Sequence, residues 1–270
     1  MNEVGLGRAA LIVGTALWWL ATGGSASAES ALRLPFPELF GTIPASTYDT
    51  DHRRVGDATL VIEEFGGDHV RMLVESGIDG GAHTIATADL VSVDNGQSLK
   101  LLRQESRSLD ADGALMGVLS IDHERGIASC GKPDGDDMKS EQLALPEHDR
   151  VANVPLNLLF QPLVEGTTDE VTFQLLLCRF GARLIDIDAH VVPHLKETPE
   201  NNPIIEVEYH PRLGRFLSLM AKKWVPKLSI WFDPRGKNPW VAHRIPLYSK
   251  GPEVFVIRDG IPNAWLGRGN

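Results

Sequence analysis

The 270-residue chain lacks the short signatures that announce common chemistries. It has no G-x-S-x-G elbow, no H-E-x-x-H, no phosphate-binding P-loop and no G-x-G-x-x-G. The usual serine hydrolases, zinc peptidases and nucleotide enzymes therefore have nothing to stand on. There is no N-x-S/T acceptor for N-glycosylation. Only two cysteines occur, and they do not form the C-x-x-C pair expected of a catalytic dithiol. The one sustained apolar run, Ala9 to Ala21, falls short of the roughly 20 residues that a membrane helix needs. Positive charge is also short: 26 Lys and Arg face 36 Asp and Glu, for a net −10. Such a chain has no electrostatic footprint for nucleic acid. Nor is it drawn by charge to anionic lipid headgroups.

What is present begins with a leader pattern. Arg8 precedes AALIVGTALWWLA, and TGGSASA follows. A positive start, a short apolar run and a small-x-small end are the parts of a secretory signal peptide. Residues 1–28 are read as that peptide, with cleavage after Ala28 and a periplasmic or secreted destination. An uncleaved anchor is the alternative, since Glu3 weakens the positive start. No cysteine lies near the cleavage point, which argues against a lipid-anchored form. No integral span is expected after cleavage. In an exported protein, Cys130 and Cys178 invite a disulfide. Two separate buried thiols are the other reading.

Residues 29–46 carry three prolines and no periodicity, so they read as an extended lead-in, with Phe36 and Phe40 available to pin it. Residues 47–262 read as a single β-rich domain, and 263–270 as a tail. The Gly/Asp/Asn clusters FGGD, DGGA, DNGQ, DADG, HERG and KPDG mark turns. Between them lie strand-like runs such as HVRMLVES and HTIATADLVSV, spaced as in a meander. Residues 132–148 read as an acidic surface excursion. A second set of strand runs follows: EVTFQLLLCRF, ARLIDIDAHVV, IIEVEYH, KLSIWFD, PWVAHRIPLY and PEVFVIRDG.

Between the two sets stands DRVANVPLNLLFQPLVEG, Asp149 to Gly166. Asp149 is a candidate helix cap, Val151, Val154, Leu158 and Leu159 share a helical face, and Pro155 and Pro162 interrupt it. One kinked helix or two short turns is predicted. A second helix candidate is Arg212 to Trp224. The fold class expected is mainly β: a single large antiparallel, strongly curved sheet, an open or half barrel, with one or two lid helices.

Two groups of residues are candidates for function. Val154, Leu158, Phe160, Trp231 and Trp240 are candidates to line an apolar pocket, of the kind found in barrel mouths. A filled core is the alternative. Asp186, Asp188 and His190 alternate on one strand face, about 6.5–7 Å apart. Carboxylates flanking an imidazole can bind a metal or move protons; a solvated strand face explains them equally. His190 and His194 are roughly 13 Å apart on a strand and cannot chelate one ion unless Pro193 folds the chain back. Glu206, Glu208 and His210 repeat the pattern and would adjoin it if the strands are neighbours. His243 and Arg244 complete the polar set, His243 as an inward imidazole and Arg244 as a stacking or acid-pairing group. No catalytic residue, metal or cofactor is expected.

The segments NVPLNLLFQPLVEG, IWFD, PLYSKG and VFVIRDG, in a leader–meander–helix–meander layout, resemble exported bacterial domains of unknown function related to the LolA/LolB lipoprotein-carrier superfamily. The resemblance covers roughly residues 47–260. It implies a curved open sheet with helices lidding an apolar concavity, and no shared catalytic residue. The function expected is non-catalytic binding or carriage of a lipid or other hydrophobic molecule in the cell envelope. The alternatives are an envelope enzyme built on Asp186, Asp188 and His190, or a structural protein.

Overall fold

The computed structural model describes residues 32–179, 181–192, 196–197, 203–212, 228–235, 239–248 and 250–261. The signal segment, the helix candidate from 213 onward, His194 and the tail lie outside these residues.

Alternating runs become strands wherever turn residues end them. The first set is β1 (Leu34–Pro35), β2 (Gly41–Tyr48), β3 (Arg54–Phe65), β4 (His69–Gly77), β5 (His83–Val93), β6 (Ser98–Leu109), β7 (Leu115–Asp122), β8 (Ile127–Asp134) and β9 (Asp137–Ala144). The second is β10 (Glu170–Leu177), β11 (Arg183–Val191), β12 (Lys196–Glu197), β13 (Pro203–Pro211), β14 (Leu228–Phe232), β15 (Trp240–Pro246) and β16 (Glu253–Arg258). All the described pairings between them are antiparallel. The path runs β10-β11-β13-β14-β15-β16-β2-β3-β4-β5-β6-β7-β8-β9, with β1 added beside β6 and β12 beside β13. The two sets thus join through β16 and β2. The fold is one large antiparallel sheet, not closed into a barrel by hydrogen bonds.

Two stretches differ from their sequence reading. The lead-in is not wholly irregular, because β2 starts at Gly41 and contains Pro44. Pro44 is tolerated there because β16 pairs only with Ala45 to Tyr48, so β2 has no ladder to serve on that side of Pro44. Residues 132–148 are largely strand: β8 turns at Gly135, whose φ is +64°, into β9. DMKSEQLA hides this because an exposed edge strand needs no apolar face.

The curl of the sheet follows from its ends. β8 and β10 are twelve pairings apart along the path, which in a flat sheet is roughly 55–60 Å at about 4.8 Å per strand. Yet Cys130 on β8 and Cys178, just past β10, have Cα atoms 5.4 Å apart and form a disulfide. The sheet therefore curves back on itself until its two ends meet.

Inward side chains fill the enclosed space. Leu60, Ile62, Val70, Met72, Leu90 and Leu99 from the first set meet Phe173, Ile187, Val207, Ile230, Phe232 and Val256 from the second. A separate cluster of Ile204, Trp231, Val241, Phe255 and Ile257 lies elsewhere on β13–β16. A third, Ile121, Ala128, Cys130, Val151 and Leu176, lies at the meeting of the ends.

Candidate functional site: a cleft at the mouth and a clasp at the seam

Asp149 to Gly166 is neither one helix nor one surface. Its helical parts are two single turns, α1 (Leu156–Leu159) and α2 (Gln161–Val164), with Phe160 between them. Asp149 does not cap α1; the N-cap is Pro155, with no side-chain cap bond. The Asp149 carboxylate instead meets His123 Nδ1 at 2.7 Å. Residues 150–152 run extended beside β10: Gln174 N donates to Arg150 O at 2.9 Å and Ala152 N to Gln174 O at 3.0 Å. Val151 bridges Gln174 in parallel sense.

This extended piece is held by Gln104, a β6 side chain only 1% exposed. Its Oε1 accepts from Asn153 N at 2.7 Å and Val154 N at 3.1 Å. Its Nε2 donates to Val151 O at 3.0 Å and lies 2.8 Å from His123 Nε2. On the other flank, Asn153 Nδ2 donates to Leu176 O at 2.9 Å and Leu176 N to Asn153 Oδ1 at 3.0 Å. The strap thus ties β6 to β10, and Ala182 N adds a bond to Glu141 Oε2 of β9 at 3.1 Å. With the disulfide, this clasp holds the open ends together. Sequence reading found Asp149 and missed Gln104 and His123. An inward glutamine among LKLLRQES is the signal that was there to be read, since buried polar groups find partners.

The α-turns plug the interior. Phe160, 0% exposed, packs its ring 5.6 Å from Phe173 and 5.4 Å from Tyr209. Leu156, Leu158, Leu159 and Leu163 are buried with it, and Val154 packs against the same core. Of the proposed lining residues, Leu158 and Trp240 meet. They wall a small cleft of about 20 Å³ with Pro37, Glu38, Leu39, Ile62, Asn157, Gln161 and Pro239. That is space for about one water molecule. Phe160 lies in the packed interior. Trp231, 3% exposed, belongs to the separate cluster with Val241 and Phe255, so the five residues do not share one surface.

The cleft sits where β2 begins and β3 ends. Leu39, Phe40 and Phe65, three of the five exposed large apolar side chains among the described residues, belong to this end. Phe36 packs edge-on to Phe40 at 6.0 Å between ring centroids.

The polar strand faces do adjoin, with Asp188 opposite His210 and His190 opposite Glu208. His190 and His210 have ring centroids 5.6 Å apart. The carboxylates have local partners: Asp188 accepts from Arg212 Nε at 3.0 Å, and Asp186 from Gln174 Nε2 at 2.8 Å. Among the described residues no group of three His, Cys, Asp or Glu is placed to hold a metal. His243 and Arg244 stand apart from that face. Arg244 pairs with Glu253 at 2.6 Å and lies over the Phe255 ring. The inward His243 meets Tyr209 Oη at 2.7 Å through Nε2.

Desolvation pushes the His243 imidazole down from 6.5 to about 3 and the Tyr209 phenol upward. Between those two His243 values the unfolded chain binds a proton that the folded chain refuses. Stability should therefore fall as the pH drops from 6.5 toward about 3. A single proton sets a limit of about 1.4 kcal/mol per pH unit. His243 keeps partial solvent contact, so the slope should lie below that limit. Urea unfolding across this range should show wild type losing more stability than a His243→Gln variant. Equal losses would remove His243 from the account.

No family model matches the chain, and no curated protein does. Among solved structures it is similar to the crystal structure of a beta-barrel-like protein of Domain of Unknown Function DUF1849 from Brucella abortus. That likeness covers 86% of this chain and 96% of the other, at 10% identity and a TM-score of 0.42.

Proposed function

We propose that this is a non-catalytic binding protein of an oxidising, extracytoplasmic compartment, and that it holds an apolar group of a lipid or similar molecule at the mouth of its curved sheet. One observation carries the reading: Leu158 and Trp240 meet Leu39 and Ile62 in a cleft beside the exposed Leu39 and Phe40. The interior itself is occupied by Phe160, Phe173 and Tyr209. A carrier concavity of the LolA/LolB kind is here filled by the protein's own side chains, so the ligand enters at the rim. At about 20 Å³ the cleft admits one methyl-sized group as it stands, and a larger apolar group enters as the exposed Leu39 swings aside. The leader pattern and the Cys130–Cys178 bridge support the compartment. Among the described residues no helix is long and apolar enough to cross a membrane.

Titration with the fluorescent apolar probe N-phenylnaphthylamine tests this. Saturable uptake is expected, weakened about fivefold or more by Leu39→Asp, in line with losing one apolar contact of about 1 kcal/mol. Leu39 is exposed, so the variant should keep the wild-type melting temperature. Absence of uptake, or uptake indifferent to Leu39→Asp, would contradict the reading.

A further inference from the structure

The cleft has an acidic rim. Glu38 is part of its wall. Glu64 stands two residues beyond the wall residue Ile62, hence on the same face of β3, continuing the wall outward. Both are exposed. Among the described residues neither Glu38 nor Glu64 makes an ion pair. Among the described residues, Arg71 pairs with Asp89 at 2.7 Å, Arg33 with Asp94 at 3.5 Å, and Arg235 with Asp233 at 3.2 Å. His69 is held by Asp68 at 2.7 Å. The exposed Leu39 and Phe40 thus lie beside carboxylates that make no ion pair among the described residues, whereas Phe65, three residues past Ile62 and so on the other face of β3, lies under the Arg71 guanidinium.

We infer that the occupant of this mouth is a segment of another protein, carrying a large apolar side chain next to Lys or Arg. The inference rests on the proposed reading of the cleft as a site for one apolar group and goes beyond it, taking that group from a polypeptide rather than from a lipid. The apolar side chain replaces water against Leu39, Leu158 and Trp240. The flanking cation meets Glu38 and Glu64, which sets register and favours basic over acidic partners. An anionic lipid surface meets repulsion at the same rim.

The test is fluorescence anisotropy with two labelled peptides, one of leucine flanked by lysines, the other with glutamate at each lysine position. The lysine peptide should bind at least about tenfold tighter, and added salt should weaken it. The Glu38→Gln/Glu64→Gln variant should bind it about fivefold or more weakly. Asp136→Asn/Asp137→Asn, the same charge change at the remote β8–β9 turn, should leave lysine-peptide binding unaltered. Equal binding of the two peptides, or equal weakening by the two variants, would overturn the inference and reduce the effect to net charge. Uptake of the apolar probe with no peptide binding would overturn it while leaving the proposed function standing. Loss of both would remove the cleft as a site.

Discussion

Replacing Cys130 and Cys178 together by alanine should lower the unfolding free energy by about 4 kcal/mol. The two residues are 48 apart in sequence, and a loop of that length loses roughly this much entropy on cross-linking in the chain-entropy model. The bond also does a specific geometric job. It joins β8 to the end of β10, strands at opposite ends of the sheet, so without it the curl is held only by side chains and the strap. The native fold should nonetheless persist, because Gln104, Asn153 and Glu141 still bridge the seam. Far-UV circular dichroism of the variant should match wild type, while its urea midpoint falls. Reduction of wild type should reproduce the variant, and reduction of the variant should change nothing. A loss under about 1 kcal/mol would mean that the unfolded chain is already ordered around this loop.

Gln104→Leu should cost a similar amount, about 4 kcal/mol, by a different route. Leucine fills much of the same volume but strands the amides of Asn153 and Val154, the carbonyl of Val151 and the His123 ring nitrogen. Each buried polar group left without a partner costs about 1–3 kcal/mol, and some recover a bond to water as the seam loosens. The entry of the strap should then become the first part to exchange. Hydrogen exchange at Asn153, Val154 and Leu176 should rise by more than at Met72 or Leu90 in the core. A Gln104→Leu/His123→Ala double variant should lose less than the sum of the singles, since both act through one network. Additive losses would show that the two side chains hold the seam independently.

These effects mark what the sequence made legible. Strand runs were readable because alternation and Gly-based turns are local properties; HTIATADLVSV became β5 from end to end. The fold class followed, down to the absence of closure. The two turns around Phe160 were among the forms that Pro155 and Pro162 allowed. The cysteine pair was readable as a candidate but not as a seam, since nothing local says that β8 and β10 lie at opposite sheet ends. Asp149 misled because a cap and a half-buried carboxylate that pairs with a histidine look identical in sequence. Trp231 misled because both faces of β14 are buried: Ile230 and Phe232 serve one cluster and Trp231 another, so apolar character alone did not assign a face. Leu158 and Trp240 do meet, but at a cleft that also needs Pro37 to Leu39, contributed by a lead-in with no periodic signal.

The stretch from Asp149 to Gly166 is therefore a clasp at one end and a plug at the other, with its cleft-lining part reduced to Asn157, Leu158 and Gln161. The most direct test of that division is a two-dimensional NMR titration of the intact protein with the apolar probe. Shifts are expected only at Leu39, Phe40, Ile62, Asn157, Leu158, Gln161 and Trp240, with Phe160, Phe173 and Tyr209 unmoved. Shifts spreading through those three interior rings would contradict it, because they would mean that the plug leaves and the filled core opens into a carrier cavity.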